Sequence, residues 1–306
     1  MLRDEKASGK IPIVAPNVTL NIEGGDSMGS FVNISVDEKT ADGLYRFRRF
    51  STKVDIATAF DVKCSVIWRA SATLSASESN LLNPIAVLDG CNFVQKSATL
   101  LNDIDWGSAA LSVDGNSRAY ICFSNGDNKN HCEIFDGTSS ISTTSSNYGH
   151  YYGSLGLYKS QPTTVGSFSY GDTKKVETLT NDGWSVIGDP PISDIRSSVL
   201  VGLQSGNLLM LGGAGSWNGS TSQLDLVWLL SNDSWSQIGT LKSAISAASS
   251  LKINDSLFLF PGYGDRYIER VDTDGDQLKT SETLYQFSSN PGTFPALFQV
   301  SAGFCA

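Results

Sequence analysis

The segment Leu179-Thr-Asn-Asp-Gly-Trp-Ser-Val-Ile-Gly188 recurs as Leu230-Ser-Asn-Asp-Ser-Trp-Ser-Gln-Ile-Gly239, which sets Trp184 against Trp235 and Gly188 against Gly239. The displacement, from position 179 to position 230, is 51 residues. Between these anchors lies a second repeated unit, in which an apolar strand, a short polar turn and another apolar strand lead into a glycine pair. Ser198-Val-Leu-Val-Gly-Leu-Gln-Ser-Gly-Asn-Leu-Leu-Met-Leu-Gly-Gly213 shows it in full, and Ser249-Ser-Leu-Lys-Ile-Asn-Asp-Ser-Leu-Phe-Leu-Phe-Pro-Gly262 repeats it with Pro261 and Gly262 in the double-glycine slot. Looser copies run over 108–124 and 153–167, and 58–70 is a further candidate. A period of about 50 residues suits one four-stranded sheet that cannot bury both faces until neighbours pack against it, so sheet should follow sheet around an axis.

These features resemble the kelch repeat family, in which a hydrophobic strand is followed by Gly-Gly, a spaced aromatic, and a Trp seven residues after that aromatic. Gly212 and Gly213 fill the glycine slots, Trp228 the aromatic slot and Trp235 the last one. The pattern is departed from at Glu177, which replaces the aromatic in the unit of Trp184, and after Gly262, where no Trp follows. The resemblance implies an all-β, kelch-like β-propeller over residues 56–306. Residues 1–55 lack the repeat. Their Ile11 to Ile22 stretch is β-rich, with Pro12 and Pro16 suited to an edge, and reads as an N-terminal β arm or small module. The segment Phe294 to Cys305 reads as an inner strand pair that stops early, for which the N-terminal strands are candidate partners, within one chain or between subunits.

Composition agrees with many short strands. Charged residues are only 17% of the 306, while Gly, Ser, Thr and Asn are abundant. The net charge of −9 repels a phosphate backbone, which argues against nucleic-acid binding. The local exception, Arg46-Phe-Arg-Arg49, reads as an exposed strand of mixed polarity. No stretch is apolar for the ~18 residues that a bilayer demands, so membrane insertion is not expected. The charged start, Met1 to Lys10, carries no export signal, so a secreted protein would have to be a processed or excerpted chain.

Five cysteines, at 64, 91, 122, 132 and 305, include no C-x-x-C pair, and the chain has only two histidines. A sulfur-based zinc site is therefore disfavoured. Cys122 and Cys132 flank the turn-rich Ser124 to Asn130 and should face each other as a disulfide, with Cys64, Cys91 and Cys305 sharing one further bridge. Asn-x-Ser/Thr sequons stand at Asn17, Asn33, Asn218, Asn232 and Asn254. About four are expected by chance at this composition, so their positions at turns matter more than their number. Cysteines and sequons together point to a secreted, extracellular setting.

Candidate chemistry is sparse. Gly25-Asp-Ser-Met-Gly29 matches the G-x-S-x-G elbow, but no helical pattern follows it, and Ser27 reads as a turn residue. His131 beside Cys132, and His150 beside Tyr151 and Tyr152, could serve copper, and some kelch-type propellers are copper radical oxidases, although packing roles fit two isolated histidines better. Asp272-Thr-Asp-Gly-Asp276 alternates carboxylates as a calcium loop would, yet Gln277 and Thr283 stand where an EF-hand needs Gly and an acid, so a hairpin turn is expected. Thr138 to Ser146 should be an exposed loop. No catalytic residue, cofactor or metal site is assigned. The expected function is an extracellular hub that binds protein or glycan and self-assembles into a matrix, coat or filament; the alternative is a secreted propeller oxidase or glycosidase.

Overall fold

The computed structural model describes residues 8–12, 18–23, 31–36, 44–48, 54–55, 66–69, 71–72, 84–89, 92–102, 107–113, 118–168, 173–253 and 256–288. Strands β1 (Ser8–Pro12), β2 (Val18–Glu23), β3 (Phe31–Val36) and β4 (Leu44–Arg48) pair in order as one antiparallel sheet. These four strands form an antiparallel meander, with Arg46 and Phe47 on its last strand. Strand β5 (Val54–Asp55) pairs with β7 (Ser71–Ala72), and β6 (Val66–Arg69), β8 (Pro84–Asp89) and β9 (Asn92–Thr99) form a further sheet.

Four antiparallel sheets then follow in a propeller arrangement. The first blade is β10 (Ala109–Val113), β11 (Arg118–Cys122), β12 (Cys132–Phe135) and β13 (Ser140–Ser142). The second is β14 (Ser154–Tyr158), β15 (Gln161–Val165), β16 (Val176–Thr180) and β17 (Gly183–Val186). In the third, β18 (Ser193–Arg196) and β21 (Ala214–Trp217), which pairs with the first residues of β22, extend a blade of β19 (Val199–Gly202), β20 (Leu208–Leu211), β22 (Ser220–Ser231) and β23 (Ser234–Ile245). The fourth is β24 (Ser249–Ile253), β25 (Ser256–Phe260), β26 (Tyr267–Asp274) and β27 (Gln277–Gln286). It is complete in four strands; the segment 294–305 lies outside the described residues.

Burial on both faces explains the unbroken apolar run of β20. Met210 packs with Val165, Val176 and Trp228 on the side of the second blade. Leu209 and Leu211 pack with Leu257, Leu259 and Val271 of the fourth. A strand buried on both sides loses the alternation that a half-exposed strand shows. The first two blades meet through Cys122, Cys132, Phe123, Leu155 and Trp184, and Ile85 and Leu100 pack on Ala119, Ile121 and Phe135 of the first.

The repeat of the two Trp frames is a repeat of register. Leu179 faces Trp184 and Leu230 faces Trp235 in adjacent blades. Each indole N–H crosses to a carbonyl on the chain leaving the previous blade: Trp184 donates to Thr144 O and Trp235 to Gly188 O, both at 2.8 Å. Trp184 is buried in the cluster of Phe123 and Leu155, with its ring 5.9 Å from that of Phe123, while Trp235 on the equivalent strand is only half-buried. Gly213 has φ +100° and lies under Arg196 and Ile195, and Gly262 abuts Ser246 and Ala247, so a Cβ has no room at either slot. The Ser/Thr tract is corrected here: Ser140–Ser142 is the outer strand of the first blade, and Ser146 is buried in the crossing to the second. An outer strand has little to bury, which is why its sequence reads as loop.

Candidate functional site

Because the strands of a blade alternate in direction, its second-to-third connection and the crossing to the next blade emerge at the same end. The crossings are stitched by backbone bonds from blade to blade. Tyr152 N–H donates to Gly107 O (2.9 Å), Ser197 N–H to Tyr152 O (2.8 Å) and Ala247 N–H to Ser197 O (2.9 Å). Tyr152, Ser197 and Ala247 share a left-handed backbone, with φ of 59°, 52° and 51°. Such a conformation is uncommon for residues other than Gly, so three of them in matching places mark a repeated structural requirement.

This end carries the exposed aromatics of the described residues, Phe168 and Tyr263, with the half-buried Tyr152 and the buried Tyr151 beside Phe168. The Tyr151 and Tyr152 rings meet edge-on at 4.5 Å, and Tyr152 meets Phe168 edge-on at 5.8 Å. The Arg196 guanidinium lies 5.0 Å from the Phe168 ring centre. Phe168 is 42% exposed, and Tyr263, on the loop after β25, is 66% exposed. The loops bearing them are tied down, since Phe168 N–H donates to Tyr151 O (2.7 Å) and Tyr263 N–H to Ser246 O (2.8 Å). Next to Tyr263, Asp265 is buried; its Oδ1 accepts from the Arg266 and Tyr267 amides, and its Oδ2 has no partner. Burial pushes its carboxyl up, against the partial offset of those amides.

Three buried glutamates occupy one register position, opposite Ile121, Thr164 and Leu259. They are Glu133, Glu177 and Glu269; in the third blade the place belongs to Trp228, opposite Met210. Each carboxylate accepts backbone N–H groups from chain on the N-terminal side of its own blade, from Leu101, from Asn147 and Tyr148, and from Lys242 and Ser243. Glu177 also takes the Asn147 amide (2.6 Å) and His150 Nε2 (2.9 Å), while His150 Nδ1 faces Gly166 O (2.8 Å). Both ring nitrogens therefore face oxygen atoms. Burial works to raise the Glu177 carboxyl, but the bonds from His150, Asn147 and Tyr148 outweigh it and hold it below the usual range. For Glu269 burial prevails over Ser281 and the two amides, Asp265 adds to it, and the carboxyl is pushed up.

The residues singled out from sequence fall as follows. Cys122 and Cys132 stand directly opposite on β11 and β12, with Cα atoms 4.1 Å apart and the sulfurs bonded as a disulfide. Asn218 and Asn232 are exposed at the tips of the β21–β22 and β22–β23 turns, with φ of 50° and 49°. Asn33 sits mid-strand, between Asn21 and Arg46. Asn17, Asn254, Ser27, Cys64, Cys91 and Cys305 lie outside the described residues. The two histidines are not brought together, since His150 is engaged as above and His131 contacts the Asn102 amide. Burial lowers the His131 pKa and favours the neutral ring. Asp272–Asp276 is the hairpin of β26 and β27, and its carboxylates diverge: Asp272 goes to Arg270, Ser256 and Thr280, Asp274 to Lys279, and Asp276 to Ser205 and Asn207. Among the described residues no three His, Cys, Asp or Glu side chains gather as a metal site, and no helix is long and apolar enough to cross a membrane.

The glutamate positions were missed in the sequence. Their only signal is an apolar-Glu-x-apolar frame, seen in Cys132-Glu-Ile-Phe135, Val176-Glu-Thr-Leu179 and Ile268-Glu-Arg-Val271.

The sequence matches no protein-family model and no curated protein. Among solved structures the chain is similar to the structure of YjhT, at 13% identity and a TM-score of 0.64, over 90% of this chain and 97% of that one. At that identity the likeness speaks to fold alone, and with the four stitched blades it establishes the chain as a β-propeller.

Proposed function

We propose that this protein is an extracellular binding hub. Its rigid propeller presents the loops of one end to a protein or glycan partner, without turning it over, and copies of it assemble in a matrix, coat or filament. The observation that carries the reading is the Tyr152–Phe168–Arg196 cluster with Tyr263 on the same end, an exposed aromatic surface on loops that backbone bonds hold in place. Exposed aromatics beside polar groups are the composition of recognition surfaces rather than of inert ones. The kelch-like glycine and Trp slots support a repeat scaffold, and the Cys122–Cys132 disulfide, with sequons on exposed turns at Asn218 and Asn232, supports an oxidising compartment.

The test is a screen of the purified full chain against glycan and extracellular-protein arrays, with Phe168→Ala and Tyr263→Ala variants beside it. Ligands lost by those variants at unchanged melting temperature support the reading. Bound copper, or turnover in a sugar-oxidation and glycosidase screen, overturns it in favour of a secreted propeller enzyme.

A further inference from the structure

The aromatic end holds a cation, Arg196, that has no counter-charge among the described residues. Arg196 closes β18, and its guanidinium lies over Phe168 with one Nη donating to the carbonyl of Asp194 at 3.2 Å. The nearby Asp194 carboxylate is turned away, accepting instead from the Thr173 hydroxyl at 2.6 Å. Several other cations of the fold are ion-paired: Lys159 with Asp233, Lys175 with Asp189, Arg270 with Asp272 and Lys279 with Asp274. Arg196 has no such acid among the described residues. It is nonetheless held in place, because Ser167 N–H donates to Ile195 O (2.9 Å) on one side of it and Ser197 N–H to Tyr152 O (2.8 Å) on the other.

A guanidinium laid on an aromatic ring exposes the N–H groups along its edge, and that planar fork matches a carboxylate. Beside it, the Phe168 and Tyr152 rings meet edge to face at 5.8 Å and offer an apolar wall. A net charge of −9 discourages polyanions, which leaves a ligand with one negative group. We propose that Arg196, Phe168 and Tyr152 form a subsite for a monocarboxylate carried on a flat apolar body, with the carboxylate on the guanidinium edge and the body against the two rings. The proposal rests on the reading of this end as the recognition surface and specifies its chemistry.

The test is NMR titration of the labelled full chain with phenylacetate, phenylacetamide and phenyl phosphate, following the Arg196 Nε–H and the Phe168 ring. Phenylacetate should shift both signals saturably. Phenylacetamide, and phenylacetate with Arg196→Met, should bind at least tenfold more weakly, and Arg196→Lys should be intermediate because it keeps charge without the fork. Arg196→Met should shift the melting temperature by no more than a few degrees, since the side chain is half-exposed, makes no ion pair among the described residues, and methionine keeps an apolar stem against Phe168. Unshifted Arg196 signals, equal binding by Arg196→Met, or tighter binding of phenyl phosphate than of phenylacetate would each overturn the carboxylate assignment. A partner captured through Tyr263 but indifferent to Arg196→Met would sink this subsite and leave the hub reading standing. Phenylacetate binding at Arg196, with no array ligand dependent on this end, would do the reverse.

Discussion

Replacing Glu177 by Leu should be among the most damaging single changes in the described fold. Its carboxylate is fully buried and accepts from the amides of Asn147 and Tyr148, the Asn147 side chain and His150 Nε2. Leucine fills a similar volume but leaves four donors facing a hydrocarbon. An unsatisfied buried donor costs about 1–3 kcal/mol, and more where the lost partner is a charged carboxylate. The donors can relax together, so the single change should cost about 3–5 kcal/mol rather than the sum, a fall of roughly 10 °C in melting temperature for a chain of this size. The double change His150→Phe with Glu177→Leu removes the stranded imidazole as well. It should be less destabilising than Glu177→Leu alone, with a coupling of about 1–3 kcal/mol in a double-mutant cycle. Urea melts of the four proteins measure this. A Glu177→Leu protein within about 1 kcal/mol of the parent, or a strictly additive double variant, would refute the clasp.

Trp184→Ala should cost about 3–5 kcal/mol and Trp235→Ala distinctly less, since the first indole is buried and the second half-exposed; chemical denaturation ranks them. Glu177, held low in the folded state, contributes stability above the ordinary Glu pKa that is lost as pH falls through its depressed value. Glu269 and Asp265, held high, act with the opposite sign, their contribution being full below the ordinary values and lost as pH rises through the raised ones. Acid melts should therefore show Glu177→Gln flattening the loss of stability toward low pH, and Glu269→Gln flattening the loss on the rising side. Reducing Cys122–Cys132, ten positions apart, should cost about 2–3 kcal/mol if loop entropy dominates, as read from melts with and without reductant. When the chain is passed through a eukaryotic secretory route, peptide mapping after enzymatic deglycosylation should find glycan at Asn218 and Asn232 and none at Asn33, whose place is inside a paired sheet.

What could be read from sequence was whatever the repeat forces on local composition. The Trp frames, the glycine slots and the double-sided apolar strands survive because each blade must bury the same faces. The outer strand at Ser140–Ser142 was invisible, since a strand that buries little has no periodicity to betray it. The glutamate clasps were hidden for another reason. A lone acid in an apolar strand looks like a departure, as Glu177 did against the aromatic slot, until the backbone amides that it receives are seen from a segment about 30 residues earlier. The Arg196 cluster is likewise assembled from three separate connections, at 152, 168 and 196, and no spacing along the chain foretells it.

The direction of the contacts between blades bears on how the chain is made. Glu177 receives from 147–150, Asp233 from Tyr158 and Lys159, Asp276 from Ser205 and Asn207, Trp184 reaches back to Thr144 and Trp235 to Gly188. In every case the residue that completes the contact is synthesised after the segment it secures. A blade leaving the ribosome is therefore provisional until its successor emerges, and growth from the N-terminus proceeds by each new sheet locking the one before it. Stalled or C-terminally shortened chains should fail at their last blade first, leaving the earlier ones folded.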